Sequence, residues 1–416
     1  KKRAKSLIKP FIWMTVDPQS PVRSVHSREL RLLSLNYEFP PIGGGGGSAH
    51  RHILKEFTRY PDLHVLLITT TTETEKIDET YPPNVLIHRL PQPKRDLLYW
   101  RRSEVLRYLL IHHAYLKQLL KVNSFDLCHV FFGFPSGWLA YWNRSQIPYL
   151  VSVRGSDVPG YNRRFSLDYL FLRPLFKRIY GSARRVVANS QGLKERFESQ
   201  FPHLQADVIP NGVDLEQFKP GESKDARDVH REMILVTAAR LIPRKGLDIL
   251  IQACARLAAV NCSFQCHIIG DGPEETPLRN LAASLEISDR VHFHGRMEKE
   301  QVAAFLRRCD IFVLPSYAEG MSNAALEAMA CGLPLLLTDT GGSRELIRGN
   351  GAIVPQGDVD RLAETLRQWI HHPEAVREMG IRSREHAWNF SWADVAARYY
   401  DLYRQILDKM KRHELL

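Results

Sequence analysis

Two carboxylates eight residues apart, Glu319 and Glu327, are the side chains in this sequence best spaced to grip a ligand, and they flank Gly320, Met321 and Ser322. The apolar run 310–315 reads as a buried parallel strand, and residues 322–331 read as the short helix that follows it. Glu319 then lies in the turn at the strand's carboxyl end. At about 100° per residue, Glu327 sits roughly 80° further round the helix axis and about two turns deeper. The two acids therefore reach different parts of one elongated molecule. The backbone N–H groups of Gly320, Met321 and Ser322, at a helix N-terminus, form a ready seat for a phosphate. The matching ligand carries hydroxyls, then phosphate, then hydroxyls.

Other candidates fall at comparable places. Arg240 and Lys245 follow the strand pattern 234–238, and cations at such a position can hold a diphosphate as charge builds on its departing oxygen. The run Gly43–Gly47 opens a helix pattern and reads equally as a flexible turn or a phosphate cradle; it lacks the Lys-Ser/Thr of a Walker loop. His129 lies in a strand pattern and is either a catalytic-face residue or a buried strand histidine. The six cysteines sit mostly in apolar patterns without a Cys-x-x-Cys pair, so neither a metal site nor a disulfide framework is expected, and a reducing compartment is.

The elements that must position these residues alternate strand-like and helix-like from residue 31 onward, which predicts α/β architecture with parallel sheets covered on both faces. Strands are expected over 32–37, 64–70, 85–90, 127–132, 149–153 and 186–188. A polar stretch over 219–231 reads as a linker. A second series follows at 234–238, 266–269, 291–294, 311–314, 335–337 and 352–354. At 416 residues the chain is too long for one ordinary core. The division expected is a basic extension over 1–28, a first Rossmann-like domain over 29–211, a second over 212–390, and a terminal helix from 391 to 416 that returns to the first. Ligands of such sheets bind beyond the strand carboxyl ends, in a deep cleft between facing domains.

Composition narrows the function classes. Residues 1–200 hold 31 Lys+Arg and 16 Asp+Glu, net +15, whereas residues 201–416 hold 26 and 30, net −4. A basic first half attracts anionic lipid, phosphorylated sugar or nucleic acid without choosing among them. Aromatic and basic residues interleave over 161–180, a segment that either packs as a domain helix or lies on a membrane surface. No apolar run approaches the roughly 18 residues needed to span a bilayer.

The segment from Glu319 to Glu327, with Arg154-Gly-Ser-Asp157, Pro210-Asn-Gly-Val-Asp214, Arg240, Lys245-Gly246 and Gly270-Asp-Gly-Pro273 in this order, resembles the retaining glycosyltransferases of family 4. The resemblance runs from about Arg31 to the C-terminus. It implies the GT-B fold of two facing Rossmann-like domains and a nucleotide-diphosphate sugar as donor substrate, with no cofactor and no metal. It also implies roles: Glu319 on the sugar hydroxyls and the developing oxocarbenium charge, Glu327 on the ribose, and Arg240 and Lys245 on the diphosphate. Gly45, Gly46 and Gly47 would contact phosphate and sugar, and Gly270, Gly272 and Arg296 would lie near the base. Arg154 stands where many relatives have His; a guanidinium can donate a bidentate bond but cannot act as a general base near neutral pH.

The acceptor side is expected around His129, Asp157, Arg163 and Arg164, and the cations Lys94, Arg95, Arg101 and Arg102 favour an anionic glycan or lipid-linked acceptor. The implied activity is sugar transfer with retention of configuration in glycolipid, lipopolysaccharide or exopolysaccharide assembly. The expected location is the cytoplasm, with peripheral contact at the inner face of an anionic membrane and no nucleic-acid partner. Two other readings compete: a nucleotide-sugar epimerase on the same scaffold, and a non-catalytic nucleotide-sugar-binding or membrane-docking protein.

Overall fold

The computed structural model describes residues 29–94, 96–97, 100–159, 166–221 and 232–414. The extension over 1–28, Arg95, Arg163 and Arg164, and most of the polar stretch expected as a linker lie outside the described residues. The chain divides into two compact units: the first holds residues up to Asn189, Lys194–Ile209 and the chain from Val395, and the second holds Ser190–Leu193 and Pro210–Asp394.

The first unit runs β1 (Leu30–Leu35), α1 (Gly45–Phe57), β2 (Leu63–Thr71), β3 (Ile77–Tyr81), β4 (Val85–Pro91), α2 (Arg102–Val122), β5 (Leu127–Phe131), α3 (Ser136–Trp142), β6 (Tyr149–Val153), α4 (Ser166–Gly181), β7 (Arg185–Ala188), α5 (Gln191–Gln200) and β8 (Asp207–Val208). Its sheet has the order β3-β4-β2-β1-β5-β6-β7-β8. Every pairing is parallel except β3 with β4. All nine residues of β2 are buried, the continuous apolar run that a strand covered on both faces requires. The sequence reading missed β3, whose residues are all exposed or half-buried. It is held at the sheet edge by register with β4 and by Arg89 bonding Glu79 across the pair at 2.8 and 2.9 Å. The two-residue β8 was also missed; it is too short to carry a pattern.

The second unit runs β9 (Met233–Ala238), α6 (Leu247–Ala259), β10 (Phe264–Ile269), α7 (Glu275–Ser284), β11 (Val291–Phe293), α8 (Lys299–Leu306), β12 (Ile311–Leu314), α9 (Asn323–Ala330), β13 (Leu335–Thr338), β14 (Gly351–Val354), α10 (Val359–His371) and α11 (Pro373–Ala387). A final helix, α12 (Trp392–Glu414), begins here and belongs to the first unit from Val395. The sheet order is β11-β10-β9-β12-β13-β14, parallel throughout. Successive residues feed opposite faces: Leu235, Ile311, Val313 and Leu336 join one apolar core with α6, α7 and α10, while Val236, Phe312, Leu314, Leu335 and Leu337 join another with α8 and α9. Each fully buried aliphatic chain contributes about 1.5–3 kcal/mol over an exposed one, so these two cores fix the loops at the strand ends.

Helix α12 is amphipathic, and its tyrosines enter the first unit. Tyr403 hydroxyl meets His129 Nδ1 at 2.6 Å, Tyr399 hydroxyl meets Ser152 Oγ at 2.9 Å, and Tyr400 donates to Asp62 at 2.6 Å. Among the described residues no helix is long and apolar enough to cross a membrane.

Candidate active site

In the second unit, β9 and β12 are hydrogen-bonded neighbours running in the same direction, so the loops leaving their carboxyl ends must meet. Gly246 makes the approach possible. It has φ +62°, and a Cβ there would stand 2.2 Å from the Pro315 carbonyl oxygen; Tyr317 N–H also donates to the Arg244 carbonyl at 2.8 Å. The result is an ion pair between Lys245 Nζ and Glu319 Oε1, with Ser316 Oγ donating to the same oxygen at 3.0 Å. Burial works against the Glu319 charge, but the Lys245 and Arg244 charges and the two hydrogen bonds outweigh it and hold the carboxyl below its usual range. Arg240, half-buried on the same loop, pairs with no carboxylate among the described residues.

Beyond Glu319 the chain turns into α9. Ser322 is its N-cap, accepting the Ala325 N–H at 3.3 Å. The N–H groups of Gly320, Met321 and Ser322 donate to no backbone acceptor among the described residues. Gly320 lies tight under the loop after β13: a Cβ on Gly342 would overlap the Gly320 carbonyl at 1.4 Å. The Met321 side chain packs in the apolar core, where it is 5% exposed, so its backbone is the part available to a ligand. Ser316, Glu319, Ser322, Thr338, Thr340 and Ser343, with Leu314, Leu337 and Leu346, line a small hollow beside this turn.

Glu327, on the fifth residue of α9, is buried, and burial pushes its carboxyl above the usual range while Lys299 pulls it back. Lys299 Nζ pairs with Glu327 Oε1. Sequence reasoning missed both Lys299 and Ser316. Lys299 opens α8 beside the capping pair Glu298 and Gln301, and no local pattern joins it to an acid 28 positions on.

Gly270 and Gly272 have φ +135° and +155°, and Cβ atoms there would stand 1.8 Å from the Ala239 carbonyl oxygen and 2.3 Å from that of Leu241. They are glycines because the loop after β10 packs onto the segment carrying Arg240. Arg296 is exposed in the loop before α8. The sequence does contain one Asp-x-Asp, at Asp358 and Asp360, but Asp358 caps α10 by accepting the Arg361 N–H at 2.8 Å and Asp360 pairs with Arg256 at 3.5 Å.

In the first unit, Gly45, Gly46 and Gly47 form the first turn of α1, and Gly43 and Gly44 lie in the loop that leads into it. A Cβ on Gly46 would meet the Phe132 ring at 2.6 Å and one on Gly47 the Glu38 carbonyl at 2.2 Å. Arg154 follows β6; its Nη2 donates to Tyr399 hydroxyl at 3.2 Å and its guanidinium lies 4.5 Å from the Phe131 ring centre. Asp157 is buried, and its two oxygens accept the N–H groups of Arg154 and Gly133, each at 2.8 Å. Burial raises its carboxyl despite those bonds. It shapes the loop that carries Arg154.

Two expectations are corrected here. His129 is the buried strand histidine of the alternatives above: it is 1% exposed, Nδ1 is bonded to Tyr403, and Nε2 lies 2.7 Å from Ser152 Oγ. Burial, with Arg154 nearby, lowers its affinity for a proton. Lys94 is likewise no surface cation; its fully enclosed ammonium pairs with Glu104 at 3.3 Å and lies 3.8 Å from the Trp100 ring centre.

Comparison with known proteins accords with this geometry. The family described as Glycosyltransferase Family 4 matches residues 43–217, and Glycosyl transferases group 1 matches residues 219–386. A GDP-mannose-dependent monoacylated alpha-(1-6)-phosphatidylinositol monomannoside mannosyltransferase of Corynebacterium glutamicum is 26% identical over 400 residues, covering 89% of this chain and 97% of its own. The sucrose-phosphate synthase structure from Thermosynechococcus elongatus superposes with TM-score 0.77 at 23% identity, covering 92% of this chain and all of that one. An Anabaena structure solved with UDP and glucose gives TM-score 0.67 at 19% identity, over 91% and 100%. With two parallel-sheet units, two adjoining family matches and full-length likeness to known transferases, the chain belongs to the family 4 glycosyltransferases of GT-B fold.

Proposed function

We propose that this enzyme moves a sugar from a nucleotide diphosphate to an acceptor hydroxyl with retention of anomeric configuration and without a metal. The observation that carries the reading is the meeting of Lys245 with Glu319 at the ends of neighbouring strands, one helix N-terminus away from Glu327. Glu319 accepts the sugar hydroxyls and faces the positive charge that grows at the anomeric carbon. Arg240, Lys245 and the N–H groups of Gly320, Met321 and Ser322 take up the diphosphate charge, the task a divalent ion performs elsewhere. Glu327 accepts the ribose hydroxyls, and the base lies toward Gly270, Gly272 and Arg296. The anomeric C–O bond to the diphosphate breaks, the acceptor oxygen attacks from the same face, and its proton passes to the departing phosphate oxygen. The first-turn glycines Gly45, Gly46 and Gly47 contact the phosphate and sugar, and Arg154 offers a guanidinium in place of the usual imidazole.

Relatives named for GDP-mannose and solved with UDP and glucose support a nucleotide sugar and leave the base to measurement. The lipid glycoside in the mannosyltransferase's name, with exposed Arg101 and Arg102, supports an anionic or lipid-linked glycan as acceptor, within glycolipid, lipopolysaccharide or exopolysaccharide assembly. Peripheral contact at the cytoplasmic face of an anionic membrane is supported by α2: Leu106 and Leu110 are 60% and 65% exposed, and the helix carries the cations Arg102, Arg107, Lys117 and Lys121 against one acid, the buried Glu104. The test is a panel of α-linked UDP-, GDP- and ADP-sugars with lipid-linked and phosphorylated glycans in excess EDTA, with the product's anomeric proton read by NMR. An α-linked product at full rate is expected. A β-linked product, or activity abolished by the chelator, overturns the reading.

A further inference from the structure

Lys299 meets Glu327 in a way the donor chemistry above does not use. The acid is enclosed, with its side chain 11% exposed, whereas the lysine is 43% exposed at the first position of α8. Only Oε1 of the carboxylate takes the ammonium, and the lysine also lies 5.7 Å from the Phe218 ring centre. Among the described residues, the other elements packed on α9 bring no competing charge to the carboxylate. Strands β12 and β13 present Ile311–Leu314 and Leu335–Thr338, and Arg384 of α11 spends its guanidinium on the carbonyls of Phe218, Ala330 and Leu215.

A carboxyl in such surroundings tends to take up a proton. A protonated acid presents O–H and loses half its accepting capacity, so it bonds ribose hydroxyls poorly. We infer that Lys299 is a positioning residue for the donor: by occupying one oxygen of Glu327 it keeps that acid ionised and turned so the other oxygen accepts the ribose hydroxyls. This rests on the reading of Glu327 as the ribose ligand. An ammonium fixed at the other oxygen extends nucleotide binding to more acidic pH than a lone buried acid would allow.

The experiment is calorimetric titration of the full chain with UDP, GDP and ADP from pH 5.5 to 8.5, continued with whichever binds, on wild type and Lys299→Met, Lys299→Arg and Glu327→Gln. In Lys299→Met the pH at which affinity falls should move toward neutral. A displacement of one pH unit corresponds to about tenfold weaker binding on the acid side, converging with wild type at pH 8.5. Lys299→Arg should restore the wild-type profile, which a merely structural loss would not predict. Glu327→Gln should bind weakly at every pH. Unchanged or tighter binding by Lys299→Met, with an unmoved profile, overturns the role of Lys299 while leaving Glu327 in place. Wild-type affinity in Glu327→Gln, or no binding of any of the three by wild type, overturns the ribose reading itself.

Discussion

Both units bury polar clusters near strand ends, and the two are built in opposite ways. Beneath Arg154, the ring of His129 is closed on one side by Tyr403 and on the other by Ser152, which meets Tyr399 in turn. The contacts are among protein groups deep in the core, and their product is position: α12 is pinned to β5 and β6, and Tyr399 holds the guanidinium. At the ends of β9 and β12 the groups are charged, and they sit where a ligand can reach them. Lys245 and Glu319 retain 13% and 14% side-chain exposure. A satisfied neutral network has nothing left to offer a ligand, whereas an ion pair beside open N–H groups can exchange partners with one. Burial of a polar group is therefore a poor guide to chemistry until its partners are counted.

The largest expected effect comes from breaking the charged cluster. Glu319→Gln should lower kcat/KM by about 10- to 150-fold, the worth of one charge-assisted contact felt in the transition state. It should also leave a pH signature. Because the Glu319 carboxyl is held below its usual range, the stability it contributes is present above its unfolded value of about 4.3 and is lost as pH falls through the lower folded value. Urea melts of Glu319→Gln should lack that part of the acid limb. A variant with wild-type turnover would remove Glu319 from the reaction.

A smaller effect of a different kind is expected from the neutral network. Tyr403→Phe strands His129 Nδ1 in the core and should cost about 1–3 kcal/mol of stability, read as a lower urea midpoint at unchanged slope. Its response to donor should be unaltered. A loss of donor response with full stability would mean that the network serves the chemistry directly.

The strands of the second unit were legible because each is a short apolar run that ends in a loop, from Ile234 to Val354. The Glu319 to Glu327 spacing gave the helix start to within a residue, since Ser322 signals its own cap. What stayed hidden depends on chain crossings. β3 is polar and exists through its register with β4. Lys299 and Ser316 carry no motif of their own and acquire meaning from where the sheet order places Glu327 and Glu319. His129 looked catalytic because a histidine in a strand near its carboxyl end is ambiguous until the far helix supplies Tyr403. The close approach of the backbone at Gly270 and Gly272 to the Ala239 and Leu241 carbonyls likewise appears only once the chain is folded.

One measurement separates the two clusters most directly: thermal shifts of wild type, Glu327→Ala and Tyr403→Phe with UDP-, GDP- and ADP-sugars in metal-free buffer. By mass action, a donor at about 100 times its dissociation constant adds about 2.7 kcal/mol. The account predicts that donors of one base class raise the melting temperature of wild type and of Tyr403→Phe by similar amounts while Glu327→Ala responds little. An equal response in Glu327→Ala, or no response of wild type to any donor, would contradict a nucleotide-sugar site at the ends of β9 and β12.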